Sequence, residues 1–241
     1  MMKLVEKIGR DSVLWDWEKA FGGKSYGNRH LFRVNKIAKF LLEKEGGDEF
    51  VVLVGAWVHD VSLTAGNDSD PTMVAIETRK FLDNYELDKE KKDEIVECAA
   101  GHESNGKKLK LECAIVHDAD ALDKCGALGI IRHIWKTTNL IEKRVLSGDD
   151  DFKRLKDHLL LRQSHMITKT AKILAEGLNM KSTSFFENKN NEPLLMEKIS
   201  RLAMEGKTTD VIVKNLLTET GEIASDWKEL LAAQIECEYL K

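Results

Sequence analysis

Residues Phe50 to Asp60, FVVLVGAWVHD, form a run of nearly pure apolar character that ends in a histidine and an aspartate. Burying those two side chains is costly unless something binds or pairs them. The apolar body reads as core. Its β-branched residues permit a buried strand, but its length and the helical patterns on either side favour a buried helix, which is the expectation. His59 and Asp60 offer an imidazole and a carboxylate, ligand types suited to a divalent cation. Two ligands do not hold an ion, so further ones are sought along the chain.

Upstream, a helix from about Asn28 to Lys44 carries Leu31, Val34, Ile37, Ala38, Leu41 and Leu42 at helical spacing. His30 falls four residues before Val34 and seven before Ile37, so it points into the core. Asp11-Ser12 reads as the cap of a short helix through VLWDWEKAF, stopped by Gly22-Gly23. Downstream, Ser62 to Asp70 reads as a polar loop, Pro71 opens a helix to about Asn84, and Asp88 caps another through Ala100. Gly101 ends that helix and His102 follows at once. LECAIVHDADALDKC, Leu111 to Cys125, is helical again. Beyond Gly148 the pattern fits one long helix or two. FENKNNEP, residues 186 to 193, is the most linker-like passage, and Pro193 to Lys241 holds three short helical patterns. The expected organisation is a helical lead-in over 1–24, a main domain over 25–187 and a helical extension over 188–241.

The totals narrow the class. Among 241 residues, 37 basic side chains face 41 acidic ones for a net charge of -4. No basic field fit for a nucleic-acid polymer exists, and any anion site must be local. Cys98, Cys113, Cys125 and Cys237 are widely spaced without a CxxC pair, which suggests reduced thiols in a cytoplasmic setting. Charges interrupt MMKLVEKIGR, and the longest apolar run is far short of about 20 residues, so neither export nor a membrane partner is expected. With only two prolines, Pro71 and Pro193, each placed for a first helical turn, the fold class reads as all-α.

Two acids inside VHDADALD are anomalies on an apolar helix. Asp118 shares a face with Ala114, Ile115, Ala121 and Leu122, and Asp120 shares one with Cys113, Val116 and Ala127. Residues two apart on a helix diverge by roughly 200°, so one would be a ligand while the other orients a ligand or caps a neighbour. Spacing does not choose between them. His30, His59, Asp60 and one of these aspartates make an N2O2 set for one divalent ion, Mn, Mg, Fe, Co, Ni or Zn, with room for water. An open position would lower the pKa of water toward ~7 while the cation polarises a phosphoryl oxygen. Hydrolysis of a phosphate ester or anhydride is the matching chemistry.

The order His30, His59-Asp60, Asp120 resembles the H…HD…D pattern of the HD-domain superfamily of metal-dependent phosphohydrolases. HLFRV around His30, GAWVHDV around His59, AAGHES around His102 and DADALDKCGALGI around Asp120 are similar to a group of small nucleotide-hydrolysing members. The resemblance covers roughly Ser25 to Glu187 and implies a helical bundle with a short helical extension. It also implies the ligand set His30, His59, Asp60 and Asp120, leaving Asp118 beside the ligands. Many members follow the HD pair with glycine and lysine, whereas VSLTAGNDSD stands here, so no lysine is assigned to phosphate. Members with two metals carry additional histidines in this interval, where only His102 and His117 lie, so one metal is implied.

The expected catalytic groups are therefore Asp60, His102 and Asp118. His102 would contact substrate or protonate a leaving group, and Arg33, one turn from His30, would fork onto a phosphate. His133, His158 and His165 read as packing residues, as do Trp15, Trp17 and Trp57, while Asp68, Asp70 and Lys124 read as a loop residue, a helix cap and a solvated side chain. The function expected is hydrolysis of a small phosphorylated substrate, a nucleotide first, at a phosphomonoester or pyrophosphate bond. The rival is a non-catalytic sensory module that holds a metal or nucleotide. The tail after Glu187 is open to a lid, extra packing or a dimer contact, so a homo-oligomer is among the partners to consider.

Overall fold

A computed structural model describes residues 2–65, 70–104, 108–182, 192–219 and 225–241, among which there are helices and no strand. The α-helices are α1 Met2–Lys19, α2 His30–Glu45, α3 Glu49–Val58, α4 Pro71–Leu82, α5 Lys89–Gly101, α6 Leu111–Asp123, α7 Gly126–Lys136, α8 Gly148–Ser164, α9 Lys169–Lys181, α10 Glu192–Met204, α11 Thr209–Thr218 and α12 Ser225–Ile235. No described helix is long and apolar enough to cross a membrane.

The chain divides into two compact units, one of residues Met1–Asp120 with Met166–Ala171, the other of Ala121–His165 with Lys172–Lys241. These units cut across the boundaries expected at residues 24 and 187. In the first unit α3 is the central rod, packed against α1, α2 and α5. Phe50, Val51, Val52, Leu53, Val54, Gly55, Ala56 and Val58 are all buried, so α3 is apolar on every side because neighbours cover every side. Gly55 permits that crowding: a Cβ there would stand 3.1 Å from Val116 Cγ2 and 3.4 Å from Cys98 Cβ.

Asp48 starts α3 as an N-cap, its carboxylate accepting from Val51 N at 3.0 Å, and Lys91 Nζ lies 3.0 Å from its other oxygen. The Val51 hydrogen bond, helped by Lys91, holds the Asp48 carboxyl below its ordinary value. Removing such a cap costs about 1 kcal/mol. Asp48→Ala should therefore lower the urea-unfolding free energy by about that much at pH 7. A carboxyl depressed in the folded state stabilises above its unfolded pKa and ceases to do so as pH falls through the folded value. The gap between wild type and Asp48→Ala should be full at neutral pH and close below about pH 4.

Helix α1 departs from expectation. Asp11-Ser12 do not cap it, because Val5, Ile8, Gly9, Ser12, Val13 and Asp16 form one continuous buried stripe, and helical packing along that stripe outweighs the local capping preference. Asp11 instead accepts from Tyr85 Oη at 2.7 Å. Helix α1 contributes to the first unit's core, with Val5 and Ile8 buried beside α3 residues. Gly22 and Gly23, with φ of 65° and 81°, turn the chain after α1 as expected. The expected loop Ser62–Asp70 begins as a 3-10 turn over Val61–Ala65 with Ser62 and Leu63 buried. Asp68 and most of FENKNNEP lie outside the described residues.

In the second unit α7 is the centre, packed by α8, α10, α11 and α12. Gln234 of α12 accepts from Leu128 N at 3.1 Å and donates to the Cys125 carbonyl at 2.9 Å, and Trp135 Nε1 donates to the Lys207 carbonyl at 2.9 Å. The segment expected as a separate extension over 188–241 therefore shares one unit with residues 121–165. His133 and His158 stack at 3.7 Å in this unit, and burial pushes them down to about 4 and about 3. The four cysteines are free and buried, as small hydrophobes are.

Candidate metal centre

Three helices, α2, α3 and α6, bring the site together. His30 is the first residue of α2, His59 is the C-cap of α3, Asp60 follows it, and Asp120 lies near the end of α6. The exposures of His30, His59, Asp60 and Asp120 are 5%, 0%, 8% and 0%. Such burial of two carboxylates demands a compensating positive charge.

The distances show how that charge is met. His30 Nε2 lies 3.3 Å from His59 Nε2, 3.4 Å from Asp60 Oδ2 and 3.2 Å from Asp120 Oδ1. His59 Nε2 lies 3.4 Å from Asp60 Oδ2 and 3.6 Å from Asp120 Oδ1. Donors about 2.1 Å from a cation stand about 3.0 Å apart in an octahedron and about 3.4 Å apart in a tetrahedron. The separations here are those of ligand atoms around one ion.

The His59 tautomer agrees. His59 Nδ1 lies 2.9 Å from the Ala56 carbonyl, which can only accept, so Nδ1 carries the hydrogen and Nε2 turns its lone pair toward the carboxylates. Burial opposes charge on His59, yet Asp60 and Asp120 outweigh it and hold the imidazole above its ordinary pKa. Burial likewise opposes charge on Asp60, and the His59 and His30 rings hold its carboxyl well below the usual carboxylate range. The donor set of two nitrogens and two oxygens fits a divalent cation, and His30, His59 and Asp60 also satisfy the mutual spacing of a metal-holding group.

The other expected site residues fall in different places. Asp118 does not join the cluster. Its carboxylate is fully buried, accepting from Ile167 N at 3.0 Å and Thr168 N at 2.7 Å, with His117 Nδ1 at 2.8 Å. It therefore fastens Met166–Ala171 within the first unit, and Glu45 holds the same segment by accepting from Thr170 N at 2.8 Å. Asp118 was expected among the catalytic groups; hydrogen-bond donors occupy both its oxygens, an arrangement suited to positioning.

His102 is the C-cap of α5 and 1% exposed. Its Nδ1 lies 2.6 Å from the Ala99 carbonyl and so carries a hydrogen, while burial and the nearby His59 lower its pKa. A neutral ring with hydrogen on Nδ1 presents Nε2 as an acceptor. Of the two expected roles, contact with substrate or protonation of a leaving group, an accepting Nε2 suits the first. Arg33 is 2% exposed in α2, one turn after His30.

Asp16 was not anticipated. It is 7% exposed in α1, and burial, then the Asp60 carboxylate, push its pKa up to about 6. Ser25 Oγ donates to its backbone carbonyl at 2.7 Å. A signal existed in the sequence: Asp16 follows Val13 by three and Ser12 by four, placing it on the stripe that the helix buries.

Comparisons with known proteins identify the family of the chain. A family model of the HD domain matches residues 28–125, an interval that contains His30, His59, Asp60, His102 and Asp120. The chain is 30% identical over 158 residues to the uncharacterized protein YpgQ of Bacillus subtilis strain 168, spanning 61% of this chain and 74% of that protein. It is also similar to the crystal structure of Bacillus subtilis YpgQ in complex with ADP, with a TM-score of 0.61 and 25% identity over 78% of this chain and 94% of that one. A crystal structure of an HD-superfamily hydrolase from Bacillus thuringiensis gives a TM-score of 0.61 and 26% identity, over 79% of this chain and 97% of that one.

Proposed function

The chain belongs to the HD-domain superfamily, and on that premise we propose that it is a metal-dependent phosphohydrolase acting on a nucleotide. The observation that carries the reading is the convergence of His30 Nε2, His59 Nε2, Asp60 Oδ2 and Asp120 Oδ1 at separations of 3.2 to 3.6 Å. Nucleotide is favoured because YpgQ, similar over most of its length, holds ADP in one of its structures. A divalent ion, when bound, supplies Lewis-acid polarisation of a phosphoryl group and lowers the pKa of water.

The residues of this chain do the rest. His30 and His59 orient their Nε2 atoms, and the Ala56 carbonyl keeps the hydrogen of His59 on Nδ1. Asp60 and Asp120 present carboxylates in a dry setting where their attraction for a cation is least screened. Arg33 is the candidate for the substrate phosphate, since a guanidinium matches phosphate geometry with two parallel donors. His102, neutral with an accepting Nε2, takes no part as a proton donor from that nitrogen.

The test is a panel of nucleoside mono-, di- and triphosphates with generic phosphate esters, each assayed with Mn, Mg, Fe(II), Co, Ni and Zn. Orthophosphate, pyrophosphate and the nucleoside product are quantified separately. Metal-dependent turnover of a nucleotide is expected. Nucleotide binding without turnover under every metal would replace the enzyme with a sensory module.

A further inference from the structure

The first unit holds a cavity of about 60 Å3 where the start of α3 meets α5 and α6. A single water needs about 10–15 Å3 on the same measure, so an ion fits there with some of its waters. Cys98 of α5 and Cys113 of α6 line the cavity, and they are 1% and 2% exposed. None of the lining residues belongs to the His30, His59, Asp60 and Asp120 cluster. Along α5, Cys98 lies one turn before His102, and along α6, Cys113 lies about two turns before Asp120. The Cys98 and Cys113 thiols share a hydrogen bond, and that contact, then burial, holds the Cys98 thiol above its ordinary pKa. A thiol so held is a poor nucleophile, because the thiolate is the form that attacks. A cation that takes the proton's place removes the charge that burial penalises.

The walls of the cavity are acidic. Asp48, Glu94, Glu97 and Glu112 line it, and their partial exposure puts them at its mouth while the two thiols lie at its depth. Lys91 Nζ stands 3.0 Å from Asp48 and 2.8 Å from Glu94, and Lys110 Nζ stands 2.6 Å from Glu97. Glu112 accepts from Asp48 N at 3.1 Å. Among the described residues, four carboxylates thus face two ammonium groups, and the field at the mouth attracts cations and repels anions. The sulfurs then select among cations, since thiolates favour soft ions such as Zn2+ over Mg2+ or Mn2+.

We propose that Cys98 and Cys113 bind one thiophilic dication of the Zn2+ class in this cavity, separately from the histidine–aspartate centre. Each thiol gives its proton to solvent, two sulfur–metal bonds form, and two thiolates with one dication make a neutral group. Neutrality is what a position this deep requires. Zn2+ takes four ligands, and the remaining positions fall to water in the cavity. The bound ion ties α5, which ends at His102, to α6, which carries Asp120. This site does not depend on the hydrolytic reading of the chain.

The test titrates the full-length, reduced and metal-free protein with Cd2+, a soft analogue of Zn2+, and records the thiolate-to-cadmium charge-transfer absorption. Imidazole and carboxylate ligands give no such band, so Cd2+ at the histidine–aspartate centre is silent. The amplitude in wild type should correspond to two cadmium–sulfur bonds per chain. Cys98→Ser and Cys113→Ser should each weaken the binding that produces the band by about tenfold or more, since loss even of a group behind a ligand costs about 10–100-fold. Cys125→Ser and Asp60→Asn should keep the band. Melting curves check that each variant folds, and where one does not, the wild-type amplitude and the Cys125→Ser result still decide. No band in wild type overturns the site, as does a band that survives Cys98→Ser or falls with Cys125→Ser. A Cys98–Cys113 disulfide in aerobically purified protein, with no band after its reduction, overturns it in favour of a redox pair.

Discussion

His59→Ala and Asp60→Ala should each release the metal and lower nucleotide hydrolysis by about 10^3-fold or more. The two residues sit where α3 ends, and each contributes an atom 3.4 Å from the other and similarly close to His30. Without either atom the set falls to three donors around one ion. Loss of Lewis-acid stabilisation worth roughly 4 kcal/mol corresponds to that factor in rate. Asp60→Asn is the more discriminating variant, since it keeps the shape of the side chain and removes only the charge that attracts a cation. Bound metal measured by elemental analysis and kcat measured on the best nucleotide should fall together. A variant free of metal yet fully active would show that the cluster is a buried ion-pair network with no part in chemistry.

Asp118→Ala should act on stability instead. Three donors, Ile167 N, Thr168 N and His117 Nδ1, converge on a carboxylate with no exposure. Hydrogen bonds to a buried charge contribute about 1.5–3 kcal/mol each, and truncation leaves buried backbone N–H groups unmatched. A loss of about 3–5 kcal/mol is expected, read as a fall in the urea midpoint and in the melting temperature. Bound metal per folded chain should match wild type, because Asp118 contributes no atom to the cluster. A variant of unchanged stability that no longer binds metal would return Asp118 to the ligand set.

Asp118 and Asp120 show where reading a sequence stops. Both are acids on one apolar helix, and both look equally out of place in VHDADALD. The helix turns them in different directions, and what each meets depends on segments distant in the chain. Asp120 meets His30, some 90 residues earlier, and Asp118 meets Ile167 and Thr168, whose separations of 49 and 50 residues no local pattern encodes. His102 is a similar case. Its place after Gly101 was legible, but the Ala99 carbonyl that fixes its tautomer is a product of the helix end, and it turns an expected donor into an acceptor.

The all-α class, the burial of FVVLVGAWVHD and the identity of His30, His59 and Asp60 as an inward-facing trio followed from the sequence by itself. Periodicity and cap chemistry are local, since a helix is written by residues three and four apart. Tertiary structure alone decided what Asp118 and Asp120 each meet, the entry of Asp16 beside the centre, the continuity of α1 through Asp11-Ser12, and the union of the last helices with α7. Each of those depends on which surfaces meet once the helices pack. A carboxylate, whether ligand, anchor or helix cap, is assigned by the partners that folding brings to it.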